Sequence, residues 1–390
     1  MRKIIEYLHL KDVGLLEMTF ALTPMLCGYT ISNLTLSLLM WMILLFMVLL
    51  QRKVKKPQLF KPLIFLVAYW VVHEVFIILC DDVNMNGVIA QFIYFAAVFT
   101  LYPNINIIKL KGSLNWVAII SIVGLLYQWG DIATGNLVHQ LEIPGLTTEV
   151  DTLEKVSLRP SSFYAEPAAY VAYMICPLYF ALMDKKYIWA IGMILSIFLT
   201  TSTTGLIVSF IMLGVSILSF GKMKPTTIVL GAILIGVLYL ALTNLEAFQF
   251  GLEKLENTDT ENNVRLAQGR YVVSTMNPGE YVFGVPYSTA YNYCQTGRAT
   301  EVVYYGKSVY MSTFWQMILL YGAIGLILYL NIYIQIFKQC HRTLTLLAAL
   351  CAVLFSSTYM MGVYFIFTLI ILLSVTMNSK KDILRQDTSR

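Results

Sequence analysis

The chain has 390 residues, of which 58% are hydrophobic and 13% are charged, and its mean hydropathy is +0.70. Because an ordinary soluble domain carries about 25% charged residues, this composition excludes a typical soluble protein and predicts one integral membrane domain over residues 1–390. The formal net charge of +5 does not indicate a nucleic-acid partner, since the basic residues lie in short clusters between apolar segments, as topology-setting residues do.

Apolar segments predict about twelve membrane-spanning helices, because a helix needs roughly 20 mostly apolar residues to cross the hydrocarbon. Two long apolar runs, 187–220 and 343–377, are divided at 200–204 and near 356–358, where small polar residues could form tight turns. The predicted fold is therefore all-α, a polytopic transmembrane helical bundle. The predicted spans are 12–31, 34–51, 62–80, 87–103, 113–131, 164–183, 187–201, 204–220, 226–245, 309–337, 343–358 and 359–377.

Clusters of lysine and arginine recur after even numbers of predicted crossings, so they share one side of the membrane. Cytoplasmic loops are the ones enriched in these residues, which predicts that both termini are cytoplasmic. Two long connections are predicted to be external, the first loop at 132–163 and the second loop at 246–308, and connections of that length are often functional. The clusters between spans are Arg52, Lys53, Lys55, Lys56 and Lys61; Lys109 and Lys111; Lys185 and Lys186; Lys222 and Lys224; and Lys338 and Arg342.

The first loop ends in LRPSSFYAEPAAY, residues 158–170, where ionisable side chains precede an apolar run. Such residues are costly near a bilayer and usually have a role there. Arg159 could bind an anionic group, since a guanidinium grips phosphate through two parallel hydrogen bonds; as an alternative, it extends to the interface structurally. Glu166, before Pro167, is either a reactive carboxylate facing a cavity or a structural one at a helix start. Tyr164 is assigned to substrate binding.

The second loop contributes two arginines, Arg265 and Arg270, in a stretch whose apolar periodicity predicts short amphipathic helices. On a helix their side chains would be about 140° apart, at roughly 100° per residue, so they could flank one cleft. Both long loops carry arginines against the bias that keeps basic residues inside, which favours anion binding over a solvated basic face. We assign a catalytic role to Arg270 and substrate binding to Arg265, Arg298 and Tyr271.

Three ionisable residues, Glu17, His73 and Glu74, fall within predicted spans. Ionisable side chains at that depth usually face a cavity or a polar partner. For His73 we favour a structural hydrogen bond. A further histidine, His139 in the first loop, is expected to be a surface residue.

Sequence motifs for metal or nucleotide sites are missing, so we predict neither a metal nor a cofactor. HExxH, GxSxG and CxxC do not occur, and the six cysteines are scattered mostly within apolar runs, a spacing that indicates no zinc site or disulfide framework. GKS at 306–308 lacks the glycine that a phosphate-binding loop needs five residues earlier, where Glu301 stands. The N-terminus lacks an apolar core followed by a small-residue cleavage site, so no cleaved signal peptide is expected.

Three segments, in this order, carry a family resemblance. RPSSFYAEPAAYVAY, which begins at Arg159, is similar to a signature of arginine, serine, phenylalanine, glutamate and proline at the end of a first large outer loop. LTTSTTGLIVSF (199–210) is similar to a Thr-x-Ser-Arg-Thr-Gly turn between two helices, with Thr203 where arginine is common. QGRYVVSTMNPGEYVFGV (268–285) is similar to a Gly-Arg segment followed by a Pro-x-x-x-x-x-Gly pattern. With its topology, the chain resembles the O-antigen polymerase and ligase superfamily.

The resemblance implies transfer of lipid-linked oligosaccharide at the outer face of the cytoplasmic (inner) membrane of a bacterium. The donor would be a glycan on undecaprenyl pyrophosphate, and the acceptor a second such unit whose hydroxyl attacks the anomeric carbon. Arg159, Arg265 and Arg270 would stabilise the departing diphosphate without a metal, and Glu166 would orient or deprotonate the hydroxyl. A chain-length regulator and a flippase are the implied partner proteins, and the product would be O-antigen, capsule or exopolysaccharide.

The polymerase interpretation has two alternatives. One is a ligase of the same superfamily, which usually carries a histidine near the start of the helix after the second loop, where this chain has Met311 and Ser312; this difference favours the polymerase. The other is a lipid-glycan flippase or transporter. Many transporters show internal symmetry and paired broken helices, and the sequence shows no such symmetry.

Overall fold

The computed structural model describes most of the chain. It covers residues 2–31, 34–50, 60–78, 85–136, 138, 140–148, 159–220, 264–285, 293, 304–305, 308–309, 311–356 and 362–388. The predictions that lie outside the described residues include the span at 226–245, the basic clusters at 52–56 and 222–224, the substrate-binding candidate Arg298 and the surface residue His139.

The described residues are mostly helical, in agreement with the predicted class. The helices are α1 (Arg2–Tyr7), α2 (Leu15–Leu22), α3 (Leu36–Leu49), α4 (Lys61–Ile78), α5 (Met85–Leu101), α6 (Ile107–Ala133), α7 (Pro167–Met183), α8 (Tyr187–Leu199), α9 (Thr203–Phe220), α10 (Val264–Ser274), α11 (Pro278–Phe283), α12 (Thr313–Gln339), α13 (Leu344–Ser356) and α14 (Val363–Thr388).

A small antiparallel sheet lies beside the helices, a feature that the all-α prediction did not include. Thr30 of its central strand stands opposite Thr35 on one side and Thr147 on the other, and the hydroxyls of Thr30 and Thr147 are 2.7 Å apart. The sheet therefore ties the first loop to the connection between α2 and α3. The strands are β1 (Tyr29–Ile31), β2 (Leu34–Thr35) and β3 (Thr147–Thr148), with a separate pair β4 (Tyr304–Tyr305) and β5 (Ser308–Val309).

Two described helices, α6 and α12, are long and apolar enough to cross a membrane. Each has 27 residues; for α6 this corresponds to about 40 Å at 1.5 Å per residue, more than the roughly 30 Å of bilayer hydrocarbon, whereas α12 is interrupted at Gly322. Further apolar helices of 10–17 residues accompany them. A mostly helical protein with helices of transmembrane length is therefore confirmed, whereas the number of spans stays a prediction.

The predicted span at 12–31 is not a single helix. α2 ends at Leu22, and the chain passes through a 3-10 turn at Met25–Gly28 into β1. Pro24 explains the interruption, because proline offers no N–H and clashes with the preceding helical turn. The Thr23 hydroxyl turns back on its own helix and donates to the carbonyl of Thr19 at 2.9 Å.

The predicted division of the apolar run 187–220 is confirmed, since α8 and α9 are separate helices joined by a tight turn. Thr201 in that turn has a positive φ of 52°. The Thr200 hydroxyl donates to the Ile197 carbonyl at 2.7 Å, a local bond of the kind that lets threonine stabilise turns. The run 343–377 is likewise divided, between α13 and α14.

α7 forms the centre of the helical core. Its residues 168–182 are buried without interruption, and it packs against α6, α8, α9, α13 and α14. Aromatic rings extend this core: Tyr173 stacks on Phe367 of α14 with ring centres 5.8 Å apart, and Phe367 stacks on Phe20 of α2 at 4.6 Å. A helix that is apolar all round belongs at such a buried position.

One end of the bundle gathers basic residues from distant parts of the sequence, and we call it the basic end. Lys111, near the start of α6, forms an ion pair with Asp184 after α7, with its Nζ 2.7 Å and 2.8 Å from the two carboxylate oxygens. Lys186 lies 5.5 Å from the ring centre of Tyr7 in α1. The N-terminal segment and the clusters at Lys111 and Lys186 therefore share one end of the bundle, as the charge pattern predicts.

The segment that carries Arg159 lies towards the other end of α6. It packs against Gln128, which is about 25 Å along α6 from Lys111 at 1.5 Å per residue. The fold thus separates the basic end from the first loop by most of the thickness of a bilayer.

Candidate functional site

A buried carboxamide on α6 fixes the turn beside Arg159. The Gln128 Oε1 accepts hydrogen bonds from the backbone N–H of Ser161 at 3.0 Å and of Ser162 at 2.7 Å, and its Nε2 donates to the Ser162 carbonyl at 3.4 Å. Gln128 is only 1% exposed. Because backbone groups at this depth need a hydrogen-bond partner other than water, the carboxamide supplies it. We call residues 159–166 the Arg159 turn.

The Arg159 turn lies close to α6 at Gly124, where a larger residue would require neighbouring side chains to move. A Cβ on Gly124 would lie 2.5 Å from the Ser162 Oγ and 2.7 Å from the Leu141 Cδ1. Ser162 itself has a φ of 57°, in the left-handed region that non-glycine residues seldom adopt. A strained backbone of this kind persists only where its surroundings hold it, and Gln128 supplies that restraint.

Arg159 reaches from this turn to the turn between α8 and α9. Its side chain is half-buried, and its Nη2 donates to the Thr201 carbonyl at 3.4 Å. Trp129 of α6 braces the same place, because its Nε1 donates to the Leu199 carbonyl at 3.0 Å. The structure therefore brings together two of the three segments on which the family resemblance rests.

Tyr164 lies beneath the Arg159 turn. The side chain is completely buried, its hydroxyl is 3.1 Å from the Ser121 Oγ on α6, and its ring meets Tyr170 edge to face with centres 5.5 Å apart. In this arrangement Tyr164 supports the turn from the core and does not present its ring to a substrate.

Glu166 is the residue before α7 and is half-buried. Its backbone carbonyl accepts from Ala169 and Tyr170 at 3.0 Å and 3.3 Å, while its carboxylate does not cap the helix. The carboxylate instead lies close enough to Tyr364 of α14 for an electrostatic interaction. The structural alternative, a carboxylate favoured by the positive end of the α7 dipole, stays a prediction.

Part of the first loop covers the Arg159 turn. The Gln140 Nε2 donates to the Phe163 carbonyl at 2.9 Å, and the Leu141 N–H donates to the Ser162 carbonyl at 3.1 Å. The Tyr29 hydroxyl donates to the Leu141 carbonyl. β1 and residues 140–141 therefore hold the Arg159 turn on the side away from α6.

Three candidates of the second loop, Arg265, Arg270 and Tyr271, lie on α10, which confirms that this stretch is helical. Arg270 is exposed, and Tyr271 beside it is 39% exposed. The backbone of Arg265 lies in the same helix, while its side chain is outside what the structure describes. Opposite Arg270, Val272 is completely buried, so α10 presents its basic side away from the bundle.

α10 and α11 are anchored on α12. A Cβ on Gly269 would lie 2.4 Å from the Trp315 ring, and the Val285 N–H donates to the Leu319 carbonyl at 2.6 Å. α11 begins at a capping box in which Asn277 and Glu280 bond reciprocally, each at 2.9 Å, the arrangement that satisfies two free N–H groups at a helix start.

Two ionisable residues of the predicted spans have structural partners. His73 of α4 lies against the backbone of Phe283 and Gly284, and its ring stacks on Tyr69 with centres 5.6 Å apart; the structural hydrogen bond favoured for it stays a prediction. The Glu17 Oε1 accepts from the Asn106 N–H at 2.9 Å, at the start of α6.

The two arginine sites occupy different parts of the described structure. Arg159 contacts the turn between α8 and α9, whereas α10 with Arg270 packs on α12. No hydrogen bond, ion pair or ring contact of the described side chains joins Arg270 to Arg159, so a cleft shared by them stays a prediction. The described residues also include no group of three or more His, Cys, Asp or Glu that could hold a metal ion.

Comparisons with protein-family models, with curated proteins and with solved structures find no match for this chain.

The residues that position the site are ones that sequence reasoning missed. Gln128 and Gly124 sit inside an apolar run and look like ordinary members of a spanning helix. The one signal was the carboxamide itself, since polar side chains at such depth usually face a partner. Tyr29 gave no signal, because its partner Leu141 is distant in sequence.

Proposed function

We propose that the chain is a membrane glycosyltransferase that polymerises oligosaccharide repeat units carried on undecaprenyl pyrophosphate. The observation that carries the proposal is the position of Arg159, whose guanidinium is bonded to Thr201 while Gln128 holds the backbone beside it. Two of the three segments that resemble the O-antigen polymerase and ligase superfamily thus meet around one cation, which supports a common site.

In the proposed topology, about twelve helices span the cytoplasmic membrane of a bacterium. Both termini and the basic end face the cytoplasm, and the Arg159 turn and α10 face outward. Support comes from the gathering of Lys111 and Lys186 at one end of the bundle, because cytoplasmic segments carry the excess of lysine and arginine.

The proposed chemistry needs a fixed positive charge where diphosphate departs. The acceptor hydroxyl forms a bond to the anomeric carbon, the bond from that carbon to the diphosphate oxygen breaks, and lipid diphosphate leaves with the electron pair. Arg159 stabilises the developing charge, since a guanidinium offers parallel N–H donors to phosphate oxygens and burial weakens screening by water. The bond to Thr201 is 3.4 Å long, at the weak end of hydrogen bonding, so a phosphate can replace it.

Glu166 is the candidate base. In the proposed step its carboxylate takes the proton of the attacking hydroxyl, a role normally worth about 10² to 10⁴ in rate. Arg270 and Arg265 would approach the same substrate from the second loop, with Tyr271 and Arg298 as contacts for sugar or phosphate. A chain-length regulator and a flippase would act with the enzyme.

The test is to express Arg159→Ala and Arg159→Lys in a host that lacks the wild-type protein and to separate its surface glycan on a gel. Loss of one fixed donor to a developing oxyanion costs about 10² to 10³ in rate, so Arg159→Ala should abolish the long-chain ladder. Arg159→Lys should restore it partly, because lysine keeps the charge but lacks the paired donors. Normal ladders from Arg159→Ala at normal expression would overturn the assignment.

A matched control is Arg342→Ala, which removes an arginine close to Tyr179, towards the basic end, and should leave the ladder unchanged. The glycan that accumulates on the lipid carrier when the protein is inactive distinguishes a polymerase from a ligase. Single repeat units left on the lipid carrier support a polymerase, whereas finished polymer left on the carrier would assign the chain as a ligase.

A further inference from the structure

A cavity lies at the basic end, far from Arg159. It has a volume of about 420 Å³ and opens between the start of α4, the turn after α5, the last turns of α12 and the middle of α14. Its wall includes Tyr102, which precedes the connection into α6, and Gln339, which is the last residue of α12. The volume is within the range of small-molecule sites, about 300 to 1,000 Å³.

The polar wall of the cavity is a row of carboxamides on α12. Asn331, Gln335 and Gln339 follow one another at intervals of four residues, a spacing that puts side chains on one helix face. The row extends about 12 Å along the axis at 1.5 Å per residue. The Gln335 Nε2 donates to the Asn331 Oδ1 at 3.4 Å, which leaves most donors and acceptors of the row for a ligand.

The rest of the wall combines one cation with apolar surface. Lys61 is exposed and lines the cavity, and none of the described lining residues is acidic. Phe65 and Met377 contribute apolar surface, and Phe65 is 60% exposed. A single positive charge, a row of carboxamides and an open aromatic edge fit a ligand with an anionic group, hydroxyls and a hydrocarbon part.

We infer that this cavity binds one anionic phospholipid with a hydroxyl-bearing headgroup, of the phosphatidylglycerol class. Lys61 binds the phosphate, the carboxamides bind the headgroup hydroxyls, and an acyl chain lies over Phe65. The inference rests on the proposed topology, in which the basic end meets the cytoplasmic leaflet, where anionic lipids attract basic side chains. It does not depend on the proposed glycosyl transfer.

The test is native mass spectrometry of the purified protein, titrated with phosphatidylglycerol and, separately, with phosphatidylcholine of the same acyl chains. Phosphatidylglycerol should bind more tightly. Lys61→Ala should weaken that binding about fivefold, the usual effect of one basic side chain near anionic lipid, and the double variant Gln335→Leu with Gln339→Leu should weaken it about tenfold, since it removes hydrogen bonds from two side chains. Lys338→Ala is the matched control, because Lys338 is an exposed cation on the same last turn outside the cavity wall.

Further measurements distinguish a lipid from a soluble phosphate compound as the ligand, and they distinguish a failure of this inference from a failure of the proposed function. Free glycerol 3-phosphate should not compete at concentrations comparable to the lipid; equal competition would overturn the lipid assignment in favour of a soluble phosphate compound. Equal binding of both lipids, or unchanged binding by monodisperse Lys61→Ala and Gln335→Leu/Gln339→Leu proteins, would overturn the site. Arg159→Ala should bind phosphatidylglycerol like the wild type, so a failure of the proposed transferase leaves this result standing.

Discussion

At the scale of single residues, the Arg159 turn depends on one side chain of a neighbouring helix. Ser161 and Ser162 turn their N–H groups inward to Gln128, and Ser162 holds a φ of 57°. A buried donor without a partner costs about 1–3 kcal/mol, and a strained backbone of this kind costs about 1–3 kcal/mol more. Without Gln128 the turn would therefore relax and move the guanidinium of Arg159.

Replacement of Gln128 by leucine tests this dependence, because leucine has a similar size and no acceptor. Hydrogen-exchange mass spectrometry of a peptide over 159–166 measures the exchange of the Ser161 and Ser162 amides. In Gln128→Leu this exchange should be about tenfold faster or more, because the lost hydrogen bonds lower the free energy of opening and about 1.4 kcal/mol is a factor of ten. Gln128→Glu keeps the acceptor but loses the Nε2 donor, so its amides should exchange more slowly than those of Gln128→Leu. Unchanged exchange in Gln128→Leu would show that other contacts hold the turn.

The sequence predicts Arg159 but not its supports, for a physical reason. A cation at the edge of an apolar run is conspicuous, because the bilayer makes it costly. Tyr164 is misleading in the same stretch, since nothing in a loop sequence says which side chains turn inward, and its ring is completely buried. Gln128 is one carboxamide in an apolar helix, and its partners are backbone groups that no sequence pattern marks.

At the scale of elements, the break in α12 is what docks the second loop. Gly322 has φ 62° and ψ −169°, a conformation open almost only to glycine. The Tyr69 hydroxyl of α4 donates to the Tyr321 carbonyl at 2.9 Å and to the Phe283 carbonyl at 2.6 Å. Gly284 lies so close that its Cβ would be 2.6 Å from the Gly322 nitrogen. Freed backbone groups of a broken helix are thus satisfied within the protein, as an apolar environment demands.

Alanine at Gly322 should displace α11, since its Cβ would lie 2.3 Å from the Val282 carbonyl oxygen in addition to the backbone strain. The strain alone is worth about 1–3 kcal/mol, so the thermal midpoint in detergent, measured by size-exclusion fluorescence, should fall by several degrees. Gly214→Ala is the control. A Cβ there has nothing within 4 Å, and alanine in a helix interior is about 0.5–1 kcal/mol better than glycine. Equal midpoints for the two variants would contradict the role of the break.

Element prediction succeeds where the signal is local. The tight turn between α8 and α9 follows from small polar residues at 200–204. The break at Gly322 does not, because glycine is common in apolar helices and the requirement for it comes from Gly284, which is close in space and distant in sequence. The extent of α2 was overestimated because apolar composition outweighed Pro24.

At the scale of the whole molecule, the separation of the basic end from the Arg159 turn gives the proposed reaction its location. The two regions lie at opposite ends of α6, about 25 Å apart along the helix. A diphosphate leaving group on a lipid carrier would meet Arg159 only if that end faces outward. The orientation of α6 is therefore the property on which the proposed function depends.

Cysteine labelling can measure that orientation. Asn136→Cys lies just beyond α6 near the Arg159 turn, Ser274→Cys lies on α10, and Lys185→Cys lies at the basic end, and all three positions are exposed. A membrane-impermeant maleimide added to spheroplasts should label the first two and should label Lys185→Cys only after permeabilisation. The unsubstituted protein gives the background from its own thiols, among which Cys351 is exposed. If Lys185→Cys is labelled from outside while Asn136→Cys is protected, the bundle has the opposite orientation. Arg159 would then face the cytosol, where the proposed glycan transfer cannot take place.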